Sequence, residues 1–171
     1  MSDENVIKES LRSLARQVKL LLMDCDGVLT DGRLYFSERG EELKVFHVRD
    51  GQGLVLWHDA GFRSGIITRR DAGKIIERRA AELSMDYVRV KSSDKIKAFE
   101  EIIADAGVSA EAVAFIGDDV GDIALMKTVG LPIAVADAAS EVLAAAVYIT
   151  KANGGLGAVR EVTDMLLKAK L

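Results

Sequence analysis

Six short apolar runs separated by helical patterns place the strongest constraint on the fold. They span residues 18–23, 63–68, 87–90, 113–116, 133–135 and 147–150. Helical patterns are expected between them at 71–83, opened by an Asp cap, and at 94–106, ended by Gly107. A third, at 119–129, is expected to stop at Gly130. Strands alternating with helices of roughly ten residues imply βαβ units. The expected class is α/β, a doubly wound and mostly parallel sheet. No repeat, low-complexity tract or Pro- or Ser-rich linker interrupts residues 1–171, so a single domain is expected.

The first run ends abruptly in chemistry: Leu20-Leu-Leu-Met-Asp24-Cys-Asp26-Gly27-Val-Leu-Thr30-Asp31-Gly32. Alternate residues of an extended strand share a face. Asp24 and Asp26 can therefore both point into the crevice at a strand's carboxyl end, where open parallel sheets bind ligands. Close carboxylates repel, and a bound cation or a shifted pKa relieves them. The pair reads as a Mg²⁺ site with an Asp nucleophile; a solvated Asp-rich turn is the alternative.

Three further polar clusters each follow an apolar run. Thr68-Arg69-Arg70 places a hydroxyl and backbone N–H groups where a helix begins, a ready anion site. Lys95 sits in the first turn of the next helix, unfavourable against the dipole unless it faces a phosphate. In Gly117-Asp118-Asp119-Val-Gly-Asp122, Asp118 could complete a metal site with Asp24, and Asp119 or Asp122 could act through water. Asp119 is equally suited to cap a helix.

Composition narrows the partners. A net charge of −4 without a basic block argues against nucleic acid. No apolar run approaches the ~20 residues that span a bilayer, and the charged stretch 1–19 lacks the centre of a signal peptide. The lone cysteine, Cys25, excludes an internal disulfide and fits a reducing cytoplasm; it is expected to pack against a helix. His47 and His58 are isolated and read as structural. An EF-hand reading of Asp24-x-Asp26 fails, because Val28, Leu29 and Tyr35 occupy required positions. Gly154-Gly-Leu-Gly157 matches neither a Walker loop nor a dinucleotide fingerprint.

Residues 33–46 break the rhythm and read as a β-hairpin around Glu38-Arg39-Gly40. An isolated hairpin is marginal in water, so Leu34, Phe36, Leu43, Val45 and Phe46 must pack on something. The expected partner is the hairpin of another copy; the alternative is its own domain.

Taken in order, these clusters resemble the four motifs of the haloacid dehalogenase superfamily of phosphotransferases: Asp24-Cys-Asp26-Gly27-Val-Leu-Thr30, Thr68, Lys95, and Gly117-Asp118-Asp119 with Asp122. The chain is similar to one branch, the 3-deoxy-D-manno-octulosonate 8-phosphate phosphatases. The branch features are Asp31-Gly32, Gly40-Glu-Glu-Leu-Lys44, Phe46-His-Val-Arg49-Asp50-Gly51-Gln-Gly53, Val135-Ala-Asp-Ala138 and Gly154-Gly-Leu-Gly-Ala-Val-Arg160-Glu-Val162. The resemblance implies a Rossmann-like sheet with the inserted hairpin, no cap domain, and a homotetramer whose neighbours help close each site.

It also implies roles. Asp24 would attack phosphorus, and Asp26 would protonate the leaving oxygen and then activate water. Thr68 and Lys95 would hold the phosphoryl oxygens. Mg²⁺ would be held by the Asp24 and Asp118 carboxylates and the Asp26 carbonyl, with Asp119 and Asp122 behind them. Thr30, Arg49 and Asp50 of an Arg49-Asp50-Gly51 loop, Arg70, Arg79 and Arg160 are the substrate-binding candidates, the last three for the sugar-acid carboxylate. Arg69 stands where the family has glycine, and Val90-Lys91 where it has Gln-Gly, so the sugar stays open. A nine-carbon keto-acid 9-phosphate is the second candidate substrate, and a non-catalytic oligomeric regulatory module is the third reading.

Overall fold

The computed structural model describes residues 3–71 and 74–171. Its centre is a parallel six-stranded sheet of β1 (Leu20–Met23), β4 (Arg63–Ile67), β5 (Tyr87–Arg89), β6 (Val113–Gly117), β7 (Leu131–Ala134) and β8 (Tyr148–Ile149). A separate antiparallel pair, β2 (Tyr35–Ser37) and β3 (Gly40–Leu43), forms the hairpin. The helices are α1 (Asp3–Gln17), α2 (Val48–Asp59), α3 (Lys74–Glu82), α4 (Lys95–Ala106), α5 (Ile123–Met126), α6 (Ser140–Ala145) and α7 (Ala158–Lys170).

The strand order is β5-β4-β1-β6-β7-β8. The chain winds outward from β1 through β4 to β5, then crosses to β6 and winds the other way. That reversal makes the carboxyl end of β1 a topological switch point, the usual place for a ligand crevice. Leu22 is in register with Gly65 on one side and Phe115 on the other. All four residues of β1 are fully buried, as a strand covered on both faces requires. Trp57, Phe99 and Phe115 are the bulkiest buried side chains around it. Cys25 is buried in this core, as expected.

The helix expected at 94–106 is α4, with Asp94 as its N-cap and its end at Ala106 as expected. Asp94 Oδ1 accepts from Lys97 N at 3.0 Å, and Gly107 closes the helix with φ 64°. The described part of the 71–83 helix is Lys74–Glu82; residues 72–73 lie outside the described residues.

Two readings need correction. The helix expected at 119–129 is a 3₁₀ turn, Val120–Asp122, followed by the short α5. The Asp122 carboxylate turns back to accept from Asp118 N and Asp119 N, which holds the segment as a loop. The Arg49-Asp50-Gly51 stretch, read as a loop, lies in α2, which starts where His47 Nδ1 accepts from Arg49 N. His58 Nε2 lies 2.8 Å from Ser64 Oγ, so both histidines are structural.

Within one chain the hairpin is not folded down on its domain. Phe36 is 62 % exposed, and Leu34, Tyr35, Leu43 and Val45 are exposed as well. Of the apolar residues expected to pack, Phe46 turns inward to the core's edge.

Candidate active site

Four loops at the carboxyl ends of β1, β4 and β6 and the start of α4 meet around a cleft of about 260 Å³. Its lining includes Asp24, Asp26, Thr68, Arg69, Arg70, Lys95, Asp118, Asp119 and Asp122. These residues lie far apart in sequence, and the switch point brings them together. Among the described residues, a larger groove between α1 and α7 carries no comparable cluster of acids.

Asp24 is fixed at both oxygens. Cys25 N donates to Oδ1 at 2.6 Å and Lys95 Nζ donates to Oδ2 at 2.7 Å. Lys95 is buried and donates also to Asp122 Oδ1 at 2.7 Å, so one ammonium bridges two acids. Burial pushes the Asp24 carboxyl above its ordinary range, opposed by Lys95 and reinforced by Asp122. Burial alone would lower the Lys95 ammonium, but Asp24 and Asp122 outweigh it and hold it above its usual value.

Asp118 sits directly behind the first loop. A Cβ on Gly27 would lie 1.9 Å from Asp118 Oδ2, and Gly27 has φ +82°, so only glycine fits there. Burial, then the neighbouring Asp24, Asp122 and Asp119, push the Asp118 carboxyl up to about 8. Its Oδ1 is buried and accepts no hydrogen bond.

A hard divalent cation suits this set. Carboxylate oxygens of Asp24, Asp118 and Asp122 lie within 4.8 Å of one another. Around the cleft the carboxylates of Asp24, Asp26, Asp118, Asp119 and Asp122 outnumber the cations of Lys44, Arg69, Arg70 and Lys95, an excess of negative charge that a divalent ion would offset. Asp122 is more than a distant supporter, since it belongs to this acidic cluster and anchors Lys95 as well. A signal for that pairing was present in the sequence, because Asp122 lies four residues after Asp118 at the same loop.

Thr68 is buried at the end of β4, with Oγ1 accepting from Arg70 N at 3.3 Å. Asp26 faces Lys44 Nζ at Oδ1, and its Oδ2 lies 3.4 Å from Arg70 Nε. Asp119 is exposed at the rim and caps the 3₁₀ turn, its Oδ1 accepting from Val120 N at 2.7 Å.

Other candidates lie outside the cleft lining. Thr30 Oγ1 accepts from Gly27 N and Gly32 N and so shapes the aspartate loop. Buried Asp50 accepts from Gly157 N and Arg160 N and ties α2 to the start of α7. Arg160 pairs with Asp164 along α7, and Arg79 pairs with Glu82 and lies over the Phe46 ring. Arg49 is exposed at the start of α2. Lys91 reaches Asp71 at 2.8 Å, whereas Arg69 lines the cleft. Lys44 is the site residue that composition and spacing did not single out.

Comparison with known proteins agrees with this geometry. A profile of haloacid dehalogenase-like hydrolases matches residues 73–162. The 3-deoxy-D-manno-octulosonate 8-phosphate phosphatase of Escherichia coli strain K12 is 43 % identical over 156 residues, covering 91 % of this chain and 82 % of that protein. The Yersinia pestis enzyme of the same name superposes with a TM-score of 0.92 at 42 % identity, covering 95 % and 87 % of the two chains. The Moraxella catarrhalis enzyme, solved with magnesium, phosphate and a KDO molecule, gives 0.91 at 35 % identity, covering 95 % and 92 %. With the acidic cluster at the switch point and likeness along nearly the whole chain, this protein belongs to the haloacid dehalogenase-like hydrolases, in the family of the 3-deoxy-D-manno-octulosonate 8-phosphate phosphatases.

Proposed function

We propose that this chain is a magnesium-dependent phosphatase that hydrolyses 3-deoxy-D-manno-octulosonate 8-phosphate to the free sugar acid and phosphate in lipopolysaccharide synthesis. The observation that carries the reading is Asp24 at the switch point, held by buried Lys95 and facing Asp118. Asp24 would attack phosphorus, splitting one hard displacement into two through an aspartyl-phosphate. Asp26 would give its proton to the departing sugar oxygen and take one from the water that follows. Thr68, at the end of β4, and Lys95 would hold the phosphoryl oxygens and offset their charge. Magnesium, held by Asp24 and Asp118 with Asp122 close by, would supply Lewis-acid screening of the phosphate dianion. Asp119 would serve at the rim, and Arg70, whose Nε lies 3.4 Å from Asp26 Oδ2, would meet the substrate there.

The experiment is phosphate release from the octulosonate 8-phosphate, from nine-carbon keto-acid 9-phosphates and from hexose phosphates, each with magnesium and with EDTA. Magnesium-dependent preference for the octulosonate supports the reading. Preference for the nine-carbon acid makes Arg69, in the cleft wall, the candidate specificity residue. No turnover of any of them returns the chain to a non-catalytic role.

The exposed apolar side of the hairpin supports assembly with further copies, a homotetramer by likeness to the branch. Among the described residues no helix is long and apolar enough to cross a membrane. The lone buried thiol supports a cytoplasmic setting.

The Asp118 carboxyl gives a pH test. Without the cation it stays protonated below about 8, so a metal must displace that proton. Magnesium affinity should therefore rise by up to about tenfold per pH unit between pH 6 and 8, then level off. The folded pKa also lies above the unfolded one, so the metal-free protein loses stability as pH rises through this window. Thermal shift with and without magnesium at pH 6 and 8 checks both, and the metal-induced rise in Tm should be larger at pH 8.

A further inference from the structure

Along residues 43–45 the usual burial pattern is inverted. Leu43 and Val45 are about half exposed, while the Lys44 side chain between them is fully buried. A lysine is turned inward only where an anion receives it, because an unpaired buried ammonium is costly. The anion here is Asp26: Lys44 Nζ donates to its Oδ1. Lys44 immediately follows β3, so its ammonium carries the hairpin to the cleft.

The contact divides the work of the carboxylate. Oδ1 is occupied by Lys44, whereas buried Oδ2 accepts no hydrogen bond and lies 3.4 Å from Arg70 Nε. We propose that Lys44 is a positioning residue for proton transfer, holding Asp26 so that Oδ2 alone exchanges the proton with substrate and water. The inference rests on the phosphatase reading above. In the first step the Asp24 oxygen–phosphorus bond forms and the phosphorus–alkoxide bond breaks, and the Oδ2 proton passes to the departing oxygen. In the second a water oxygen bonds to phosphorus, its proton goes to Oδ2, and the Asp24 oxygen–phosphorus bond breaks.

A leaving group that needs no proton separates positioning from structure. In Lys44→Met, turnover of 3-deoxy-D-manno-octulosonate 8-phosphate should fall about 10²-fold, the lower range for a lost general acid–base. With p-nitrophenyl phosphate the initial burst of nitrophenolate should stay within about threefold of wild type, because Asp26 is not needed to expel nitrophenolate. The steady state after the burst should fall about 10²-fold, since Asp26 must still activate water. Lys44→Gln, neutral but still a donor, gives the same comparison if the methionine variant does not fold. Wild-type turnover in the variants overturns the inference while leaving the phosphatase reading intact. Burst and steady state falling together overturn it in favour of a purely structural lysine. A wild type that releases no phosphate from either substrate overturns the phosphatase reading and this inference with it.

Discussion

Asp24→Asn is expected to lower turnover by at least about 10⁴-fold while leaving the melting temperature within a few degrees of wild type. The amide is nearly isosteric but cannot attack phosphorus to give a stable acyl phosphate. The fold should tolerate the change, because burial already disfavours charge at Asp24 and the Asn carbonyl oxygen can still accept from Cys25 N. Lys95 keeps Asp122 as its second acid, so no buried ammonium is left unpaired. Phosphate release by pure protein, beside a thermal melt, decides the matter. Turnover above about a hundredth of wild type would remove Asp24 from the nucleophile's role.

Gly154→Ala is expected to cost about 3 kcal/mol or more of stability and most of the activity. A Cβ at this position would lie 1.7 Å from the Gly27 carbonyl oxygen, a backbone atom that no rotamer change can move. The neighbouring Gly155 N donates to Val28 O at 2.9 Å, and Gly154 N donates to Asp137 Oδ1 at 2.9 Å. Together these contacts clamp the aspartate loop from outside. Displacing Gly27 would also disturb Asp118, which packs against its Cα. Urea denaturation and phosphate release measure the two effects. A variant with wild-type stability and turnover would show that the clamp yields freely.

The main features of the fold were legible because strands buried on both faces leave apolar runs, and these runs are broken by caps such as Asp94 and Gly107. The acid-bearing strand ends were legible for the same reason. The short turn at Val120–Asp122 was not, since what ends the helix there is Asp122 folding back on Asp118 and Asp119. Asp50 is a substrate-binding candidate by resemblance; that its carboxylate accepts from Gly157 N and Arg160 N, more than 100 residues away, is a pairing no local pattern could show. Arg79 and Arg160 found helical neighbours on their own surfaces for the same geometric reason, at spacings of three and four residues. Lys44, noted only as part of a branch feature, was not read as a site residue because a lysine between two apolar residues reads as the solvent side of a strand, and here the sides are reversed.

The glycine clamp on the aspartate loop has a consequence for synthesis of the protein. Asp24, the proposed nucleophile, leaves the ribosome with β1, but the residues that hold its loop arrive at positions 154 and 155. Its ammonium partner comes 71 residues later, and β6, which completes the pairing of β1, comes later still. A nascent chain therefore carries a bare, unsupported aspartate until Lys95, β6 and the glycine segment have been made. Catalytic competence is a late event, acquired only when the final glycine segment docks against the loop formed first.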